Sequence, residues 1–538
     1  MIFSCFFKAN QSVSQKKQLV TLLLLLAGAL LLFGTILLTS QKYADGDEAV
    51  VGMMAKHILT NGERPILYYG QVYGGGGAIE AYLAAIPFAF FGVSAIALKS
   101  VALCVWLVTI ALCYVFCLRR YDYQTAIFSS VILITATALI EWHMKMRGGY
   151  AEIPLFFMLI LICFSYLVDK GHKASWQFLL FGLFCGAAYY NLEIIVPFLF
   201  TLLLFSLFWR PIFWRWKPAL LMVMGFVIGA SPLILYNLTY NFSNLRYVFG
   251  RGAGGDGSNL FSNLVNLVTI YLPRFFVGSN IGDYISSPPL LAYLEYAIYL
   301  VLFIALSIKI GPHAIKLVGS LRSAANVKRI NSPADIDTLL VVYLIICPLI
   351  FSVSGNIGSA ETSLRYLFPL YPALAIVAAR GVYWLRQDQN RILNITGTTL
   401  LAVLIIFGSI NHFSYIGQTW VYDDVMFPQG IVHRQTSGET ISKLIDFLNK
   451  RQMSRVATTY FVQWRLVFES NEAIIASSRN LMPGADTPRY PYYDSIAWEQ
   501  PQAIILHHED AQLAWLLEQS ANEYQQEVIG EYVVLIPK

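Results

Sequence analysis

Charged residues are scarce in this sequence. Asp, Glu, Lys and Arg make up 13% of its 538 residues, while 57% are hydrophobic. Soluble domains carry about 25% charged and about 45 to 50% apolar residues, so this composition excludes a water-soluble globule. Apolar runs of about 18 residues or more, the length that spans a bilayer, recur along the first 412 positions. We therefore predict a multi-pass membrane protein.

Cysteines and common cofactor motifs are also lacking. The seven cysteines lie near the N-terminus or inside apolar runs, and none follows Cys347, so a disulfide framework is not expected. The sequence has no Walker loop, no dinucleotide-binding glycine fingerprint after a strand and no HExxH. It also lacks the interleaved basic and aromatic surface of nucleic-acid-binding proteins, which excludes nucleic acid as a partner.

Eleven apolar segments are predicted to cross the membrane. Lys and Arg gather in alternate loops between them, and the positive-inside rule makes these loops and the N-terminus cytoplasmic. Eleven crossings then place the C-terminus on the extracytoplasmic side. The predicted spans are 18–40, 98–117, 124–141, 150–168, 175–190, 193–209, 218–238, 291–309, 338–353, 366–384 and 393–412.

The predicted outer side holds two long loops and a separate domain. Loops 41–97 and 239–290 each exceed 50 residues, which is more than a connector needs. The apolar run 78–91 is too short to span and is predicted to lie along the membrane interface. Residues 413–538 alternate helix and strand patterns, with helices predicted at 439–450 and 510–519 and strands at 456–460, 473–476, 503–506 and 532–536. We predict an all-α polytopic membrane domain, 1–412, followed by a small α/β extracytoplasmic domain, 413–538.

Three carboxylates follow the first span within four positions, as Asp45, Asp47 and Glu48. Like charges this close raise one another's pKa, which suits a general base or a cation site. The alternative is a helix N-cap, because Asp45 or Asp47 followed by an apolar helix complements the helix dipole. The motif alone favours neither interpretation.

A tyrosine- and glycine-rich stretch comes next, with Tyr68, Tyr73, the four glycines 74–77 and then Glu80. Four successive glycines indicate a loop, because glycine loses the most backbone entropy in an ordered element. Such a loop either passes close to a ligand or forms a tightly packed turn.

An acid, a histidine and two bases lie together at the outer end of the third span, between Glu141 and Glu152. Charges at a membrane edge are costly unless they meet water, partners or substrate. One interpretation is snorkelling and ion pairing. The other is recognition of an anionic headgroup by Lys145 and Arg147, with Glu152 in the same cavity. His143 alone is more typical of a hydrogen-bonded edge residue.

Arginines are a minority on the outer side, where Arg251 and Arg365 lie in separate loops. A planar guanidinium is suited to binding a phosphate. The alternative for Arg365 is a structural ion pair with Glu361, four residues earlier.

The order of these motifs resembles the integral-membrane glycosyltransferases of the GT-C fold. The resemblance is to the bacterial glycosyltransferase family 39 and dolichyl-phosphate-mannose-protein mannosyltransferase-like group. It rests on the acidic pair Asp47-Glu48 after span one and on Tyr-Gly-Gln-x-Tyr-x-Gly at 69–75. It also rests on Gly-Tyr-x-Glu at 149–152 and Arg-Tyr-x-x-Pro-x-Tyr-Pro at 365–372. Residues 460–470 and the sequence RYPYY at 489–493 are similar to the C-terminal domain of some bacterial members.

The resemblance implies a hexosyl- or pentosyltransferase of the cell membrane that contributes to cell-envelope glycans. Its donor is a polyprenyl-phosphate-linked sugar, and its acceptor is a hydroxyl of a lipid, glycan or protein on the extracytoplasmic face. Asp47, with Glu48, is implied as catalytic, while Lys145, Arg147 and Arg365 are implied to hold the lipid phosphate. The other predicted substrate-binding residues are Asp45, Tyr68, Tyr73, Glu80, His143, Tyr150, Glu152, Arg251, Glu361 and Tyr366.

Three alternatives remain open from the sequence. Asp45 and Asp47 are also spaced to bind a divalent cation, as in some members of the wider fold. A lipid-linked glycan flippase or transporter is the second functional hypothesis, although it predicts charges deep in several spans, whereas here they lie at the edges. A sensor or scaffold role for the outer domain is the third.

Overall fold

The computed structural model places most of the chain in two compact units. The first unit comprises Met1–Phe33, Leu103–His143 and Tyr150–Ser414, and the second comprises Gly34–Ala102, Met144–Gly149 and Tyr415–Lys538. The second unit therefore combines predicted outer loop 41–97 with the C-terminal region. The described residues are 13–136, 144–170, 176–207, 213–253, 260–277, 290–320, 332–353, 364–428, 430–479, 481, 489–498, 500–520 and 523–538.

Helices account for most of the described chain. In chain order they are α1 (Gln15–Thr39), α2 (Gly46–Thr60), α3 (Gly75–Phe91), α4 (Ala95–Arg120), α5 (Tyr123–Ile134), α6 (Ile153–Lys170), α7 (Trp176–Asn191), α8 (Val196–Ser206), α9 (Trp216–Gly229), α10 (Ser231–Thr239), α11 (Ser243–Ala253), α12 (Leu260–Asn266), α13 (Leu272–Val277), α14 (Leu290–Ser320), α15 (Pro333–Val353), α16 (Leu370–Arg386), α17 (Arg391–Tyr415), α18 (Gly438–Lys450), α19 (Tyr460–Glu469), α20 (Pro491–Ala497) and α21 (Ala511–Ser520).

Over its described residues, each of the eleven predicted spans overlaps a helix or a broken helix of the structure. Within the described residues, six helices are long and apolar enough to cross a bilayer, namely α1, α4, α6, α14, α15 and α17. The consecutive helices α9 and α10, bent by 64°, form a seventh candidate. The chain is thus a multi-pass membrane protein, as predicted. The other predicted spans fall on shorter helices, and the count of eleven crossings stays a prediction.

Glycines allow helices α7 and α9 of the first unit to pack closely. A Cβ atom on Gly182 would lie 2.0 Å from the carbonyl oxygen of Met222, and one on Gly225 would lie 2.0 Å from that of Leu179. Gly186 and the facing part of α9 are equally close. Small residues on neighbouring turns let membrane helices approach to backbone contact.

We expect Gly225→Leu to destabilise the protein by about 3 kcal/mol, the upper end of overpacking costs, because the obstacle is backbone rather than a movable side chain. The melting temperature of detergent-solubilised protein measures the effect. Gly28→Leu is the matched control, since a Cβ on Gly28 meets no atom within 4 Å. Equal melting temperatures for the two variants would contradict this packing.

The C-terminal region forms the predicted α/β domain. Its five-stranded sheet has the order β4-β3-β5-β7-β6, in which β3 runs parallel to β4 and β5, whereas β7 runs antiparallel to β5 and β6. A separate antiparallel hairpin pairs β1 with β2. The sequence pattern did not predict this hairpin, helices α19 and α20 or strand β6. The strands are β1 (Trp420–Phe427), β2 (Gly430–Ser437), β3 (Arg455–Thr458), β4 (Ile475–Ser477), β5 (Ala503–His507), β6 (Tyr524–Ile529) and β7 (Tyr532–Pro537).

Helix α19 is fixed in this domain by a buried ion pair. Arg465 of α19 donates to Asp423 of β1 at 2.7 Å, and both side chains are fully buried. The hydroxyls of Thr436 and Tyr532 also donate to Asp423, so the buried carboxylate is well satisfied. Helix α19 therefore has a fixed orientation in the second unit.

Helix α2 packs directly against α19 within the second unit. A Cβ on Gly46 would lie 2.6 Å from Cδ1 of Phe461, and one on Gly52 would lie 2.3 Å from Cε2 of Phe468. The glycines of α2 thus leave room for the phenylalanine rings of α19. This packing brings the acidic motif at the start of α2 close to the start of α19.

Candidate functional site

Asp45 is the N-cap of helix α2. Its Oδ1 accepts a hydrogen bond from the backbone N–H of Glu48 at 3.0 Å, and Oε2 of Glu48 accepts one from the backbone N–H of Asp45 at 3.1 Å. This reciprocal arrangement is a capping box, which satisfies two of the free N–H groups at a helix start. The cap predicted for Asp45 or Asp47 is therefore confirmed for Asp45.

Two cations from the loop 144–149 surround the second oxygen of Asp45. Arg147 Nε donates to Oδ2 at 2.6 Å, Arg147 Nη2 also contacts it, and Lys145 Nζ lies 3.3 Å away. Asp45 is fully buried. Burial raises the pKa of its carboxyl, but the two cations outweigh that effect and hold the pKa well below its usual range. The predicted ion pairing at this membrane edge is present, with Asp45 as the partner.

Glu48 is buried beside a third cation. Lys99 Nζ lies 3.0 Å from its Oε2, and the backbone N–H of Met146 donates to Oε1 at 3.2 Å. Burial raises the pKa of the Glu48 carboxyl, and the charge of Lys99 offsets this only in part. Sequence reasoning missed Lys99. The available signal was a lone lysine inside the apolar start of the second span, where a charge needs a partner.

Glu80 holds the loop that carries Lys145 and Arg147. Its two carboxylate oxygens accept the backbone N–H groups of Gly148, at 2.6 Å, and Gly149, at 2.7 Å. Both glycines have φ near +100°, a conformation that other residues rarely adopt. Glu80 thereby fixes the cationic loop, and its predicted contact with substrate stays a prediction.

Asp47 has a different environment from its two acidic neighbours. It is half-buried, and none of the described Lys or Arg side chains lies within ion-pair distance of it. Its Oδ1 accepts hydrogen bonds from the hydroxyls of Tyr460, at 3.2 Å, and Tyr68, at 3.5 Å. Burial is the main cause that raises the pKa of both tyrosines, and neighbouring acidic groups such as Asp47 raise it further. Both tyrosines therefore remain protonated donors. Tyr460 had no predicted role.

The four glycines form a tightly packed turn rather than an open loop. Gly74 has φ +79°, and the next three residues make the first turn of α3. A Cβ on Gly77 would lie 2.4 Å from Cδ2 of Tyr68, so glycine lets this ring approach. Tyr68 also donates to the backbone carbonyl of Asp47 at 2.9 Å. The turn therefore helps to place the predicted residue Tyr68 against the acidic motif.

In the first unit, Arg365 of the motif 365–372 lies against a tyrosine of the motif 149–152. Its guanidinium carbon lies 5.5 Å from the ring centroid of Tyr150 and 5.4 Å from that of Tyr366, which is cation–π distance. Glu152 is buried two residues after Tyr150. The structure thus brings Arg365, Tyr150 and Tyr366 together.

Three of the predicted residues are not described in full. His143 and Glu361 lie outside the described residues, as does the side chain of Arg251, whose backbone belongs to α11. Their predicted contacts with substrate stay predictions.

Within the described residues, no group of three or more His, Cys, Asp or Glu side chains is arranged to hold a metal ion. Both oxygens of Asp45 already accept from protein donors. The divalent cation predicted at Asp45 and Asp47 stays a prediction.

Solved structures with the same architecture include two of ArnT from Cupriavidus metallidurans, one bound to undecaprenyl phosphate and one in the apo state. Each is 12% identical to this chain with a TM-score of 0.60. The first alignment covers 95% of this chain and 97% of ArnT, and the second covers 97% and 98%. The apo oligosaccharyltransferase from Archaeoglobus fulgidus aligns with a TM-score of 0.51 and 9% identity, over 92% of this chain and 70% of that protein. No family model and no curated protein matches the sequence.

These similarities extend over nearly the whole chain and show its fold. It is the GT-C fold, with a helical membrane domain followed by a C-terminal α/β domain, as the sequence predicts.

Proposed function

We propose that this chain of the GT-C fold is a membrane glycosyltransferase that uses Asp47 as its catalytic carboxylate. The proposed reaction moves a hexosyl or pentosyl group from a polyprenyl-phosphate-linked donor to an acceptor hydroxyl on the extracytoplasmic face. The proposal rests on one difference among three neighbouring acids. Asp45 and Glu48 are buried against cations, whereas Asp47 is half-buried and, among the described side chains, is bound only by neutral hydroxyls.

The geometry of Asp47 suits a general base. Tyr460 donates to Oδ1, and Tyr68 shares its hydroxyl proton between Oδ1 and the backbone carbonyl of Asp47, while Oδ2 accepts no hydrogen bond from the described residues. In the proposed step, Oδ2 takes the proton of the acceptor hydroxyl as the acceptor oxygen bonds to the sugar C1. The bond from C1 to the phosphate oxygen breaks, and its electron pair leaves with the lipid phosphate.

The donor class is supported by the fold and by the cations beside the acids. ArnT, which shares the fold, has been solved with undecaprenyl phosphate bound. Lys145 and Arg147 place two positive charges beside the acidic motif, and cations of this kind suit the binding of an anionic phosphate. The phosphate-binding role of Arg365 rests on its motif and on its place between Tyr150 and Tyr366.

The proposed extracytoplasmic location is supported by the charge of the loops. A cytoplasmic N-terminus, as the positive-inside rule predicts, puts the acidic motif after α1 on the outer side. Polyprenyl-phosphate donors carry their sugar at the membrane surface, where an acid at the end of a span has access to it.

Purified protein and a panel of polyprenyl-phosphate sugars test the proposal. With acceptors extracted from the native membrane, we expect release of polyprenyl phosphate together with a new glycosidic product, both detected by mass spectrometry. Movement of the lipid-linked sugar across liposomes without any glycosidic product would refute the proposal and favour a flippase.

We expect a chelator to leave the transfer rate unchanged. The reason is that both oxygens of Asp45 are engaged by protein donors, which leaves too few ligands in the described acidic motif for a tightly held cation. The measurement is the initial rate before and after dialysis against EDTA. A rate that falls and recovers on adding Mg²⁺ or Mn²⁺ would instead support the cation predicted at Asp45 and Asp47.

A further inference from the structure

Arg489 lies beside the two tyrosines that bind Asp47. Its guanidinium carbon is 5.2 Å from the ring centroid of Tyr68 and 5.4 Å from that of Tyr460. Its Nε donates to the hydroxyl oxygen of Tyr460 at 3.2 Å, and this hydroxyl in turn donates to Oδ1 of Asp47 at 3.2 Å. The three residues therefore form one directed chain of hydrogen bonds, Arg489 to Tyr460 to Asp47.

Arg489 is itself held by the tyrosine- and glycine-rich stretch. Its Nη1 donates to the carbonyl oxygen of Tyr69 at 3.4 Å. When the amide of Gln71 is oriented so that its oxygen faces donors, this oxygen accepts from Arg489 Nη2 at 2.6 Å and from the hydroxyl of Tyr73 at 2.8 Å. The guanidinium is thus fixed by contacts on several sides, and the RYPYY sequence that supplies it joins the same cluster.

A cation that donates to a hydroxyl makes that hydroxyl a stronger donor, because hydrogen bonds in a chain polarise one another. Arg489 therefore strengthens the hydrogen bond from Tyr460 to Asp47 without contacting Asp47 itself. The hydrogen bond from Tyr460 to Oδ1, with the weaker one shared by Tyr68, restricts rotation of the carboxylate and directs Oδ2 away from the tyrosines. The arrangement suits a base whose second oxygen must face an acceptor.

We infer that Tyr460 and Arg489 are positioning residues for Asp47, so that the C-terminal region completes the acidic site of the transferase. This inference rests on the proposed function of Asp47. It makes residues 460 and 489, which lie on either side of strand β4 in the sequence, part of the reaction machinery. A sensor or scaffold role for the C-terminal region would not require them near the acid.

Kinetics of Tyr460→Phe test the inference, because only the hydroxyl is removed. We expect kcat to fall by about tenfold to a hundredfold, the value of one hydrogen bond to a charged group, with the donor KM and the melting temperature unchanged. Arg489→Met should lower kcat in the same way, and Arg489→Lys should restore part of it because a cation remains beside the rings. Tyr524→Phe, in edge strand β6, is the matched control and should behave as the wild type.

A second measurement does not depend on transfer activity. The rate of carbodiimide labelling at Asp47, followed by peptide mass spectrometry, should rise in Tyr460→Phe and stay unchanged in Tyr524→Phe. Unchanged kcat and unchanged labelling in folded Tyr460→Phe would overturn the inference while leaving the transferase intact. Absence of transfer by the wild type would instead refute the proposed function, and the labelling result would still decide whether Tyr460 positions Asp47.

Discussion

Asp47→Asn is expected to lower sugar transfer by at least about 100-fold, the lower end of what a general base contributes, while the protein folds normally. Asparagine keeps the size of the side chain and still accepts from the hydroxyls of Tyr68 and Tyr460 through its carbonyl oxygen. It cannot take a proton from the acceptor. Because Asp47 is half-exposed and forms no ion pair with the described residues, its replacement leaves no buried charge without a partner.

The measurement is kcat with a polyprenyl-phosphate donor, alongside the melting temperature of the same preparation. Asp446→Asn is the matched control, since Asp446 is an exposed acid on α18 of the C-terminal region and should tolerate the change. Full activity of Asp47→Asn would remove Asp47 from the mechanism. A fall in both activity and melting temperature would indicate a structural role.

Sequence patterns predict the fold better than they predict the separate roles of Asp45, Asp47 and Glu48. The spans, the strands β3, β4, β5 and β7 and a helix cap in the acidic motif follow from local hydrophobicity and residue preference, which neighbouring residues determine. The roles of the acids depend on long-range contacts that no local pattern encodes. Asp47 meets Tyr460 across 413 positions of sequence, and Glu48 meets the backbone of Met146 across 98.

The function of the cationic loop 144–149 is ambiguous from the sequence for the same reason, because it too depends on long-range contacts. Lys145 and Arg147 lie at a membrane edge, and the sequence is compatible both with ion pairing and with headgroup recognition. The structure supplies the partner, Asp45, and the anchor, Glu80, both from other helices or turns of the second unit. Long-range packing therefore gives three neighbouring carboxylates different environments: Asp45 caps a helix, Glu48 is a buried ion-pair partner and Asp47 is the proposed base.

Asp45→Ala is expected to destabilise the protein by about 3 to 5 kcal/mol, the cost of removing one partner of a buried ion pair. Asp45 is fully buried and is the carboxylate that faces both Lys145 and Arg147. Alanine also removes the side-chain cap of α2, which adds to the loss. We expect little folded protein after extraction in detergent, and a reduced melting temperature for what remains.

Asp45→Asn separates the two contributions of this residue. Asparagine caps a helix as well as aspartate does, so the hydrogen bond to the N–H of Glu48 remains and the attraction to the cations is lost. We therefore expect a melting temperature between those of the wild type and Asp45→Ala. A wild-type melting temperature for Asp45→Ala, combined with lost transfer, would contradict this assignment and would make Asp45 a chemical rather than a structural residue. We thus expect replacement of Asp45 to lower stability and replacement of Asp47 to lower turnover. This difference follows from the different burial and partners of two carboxylates that are only two positions apart.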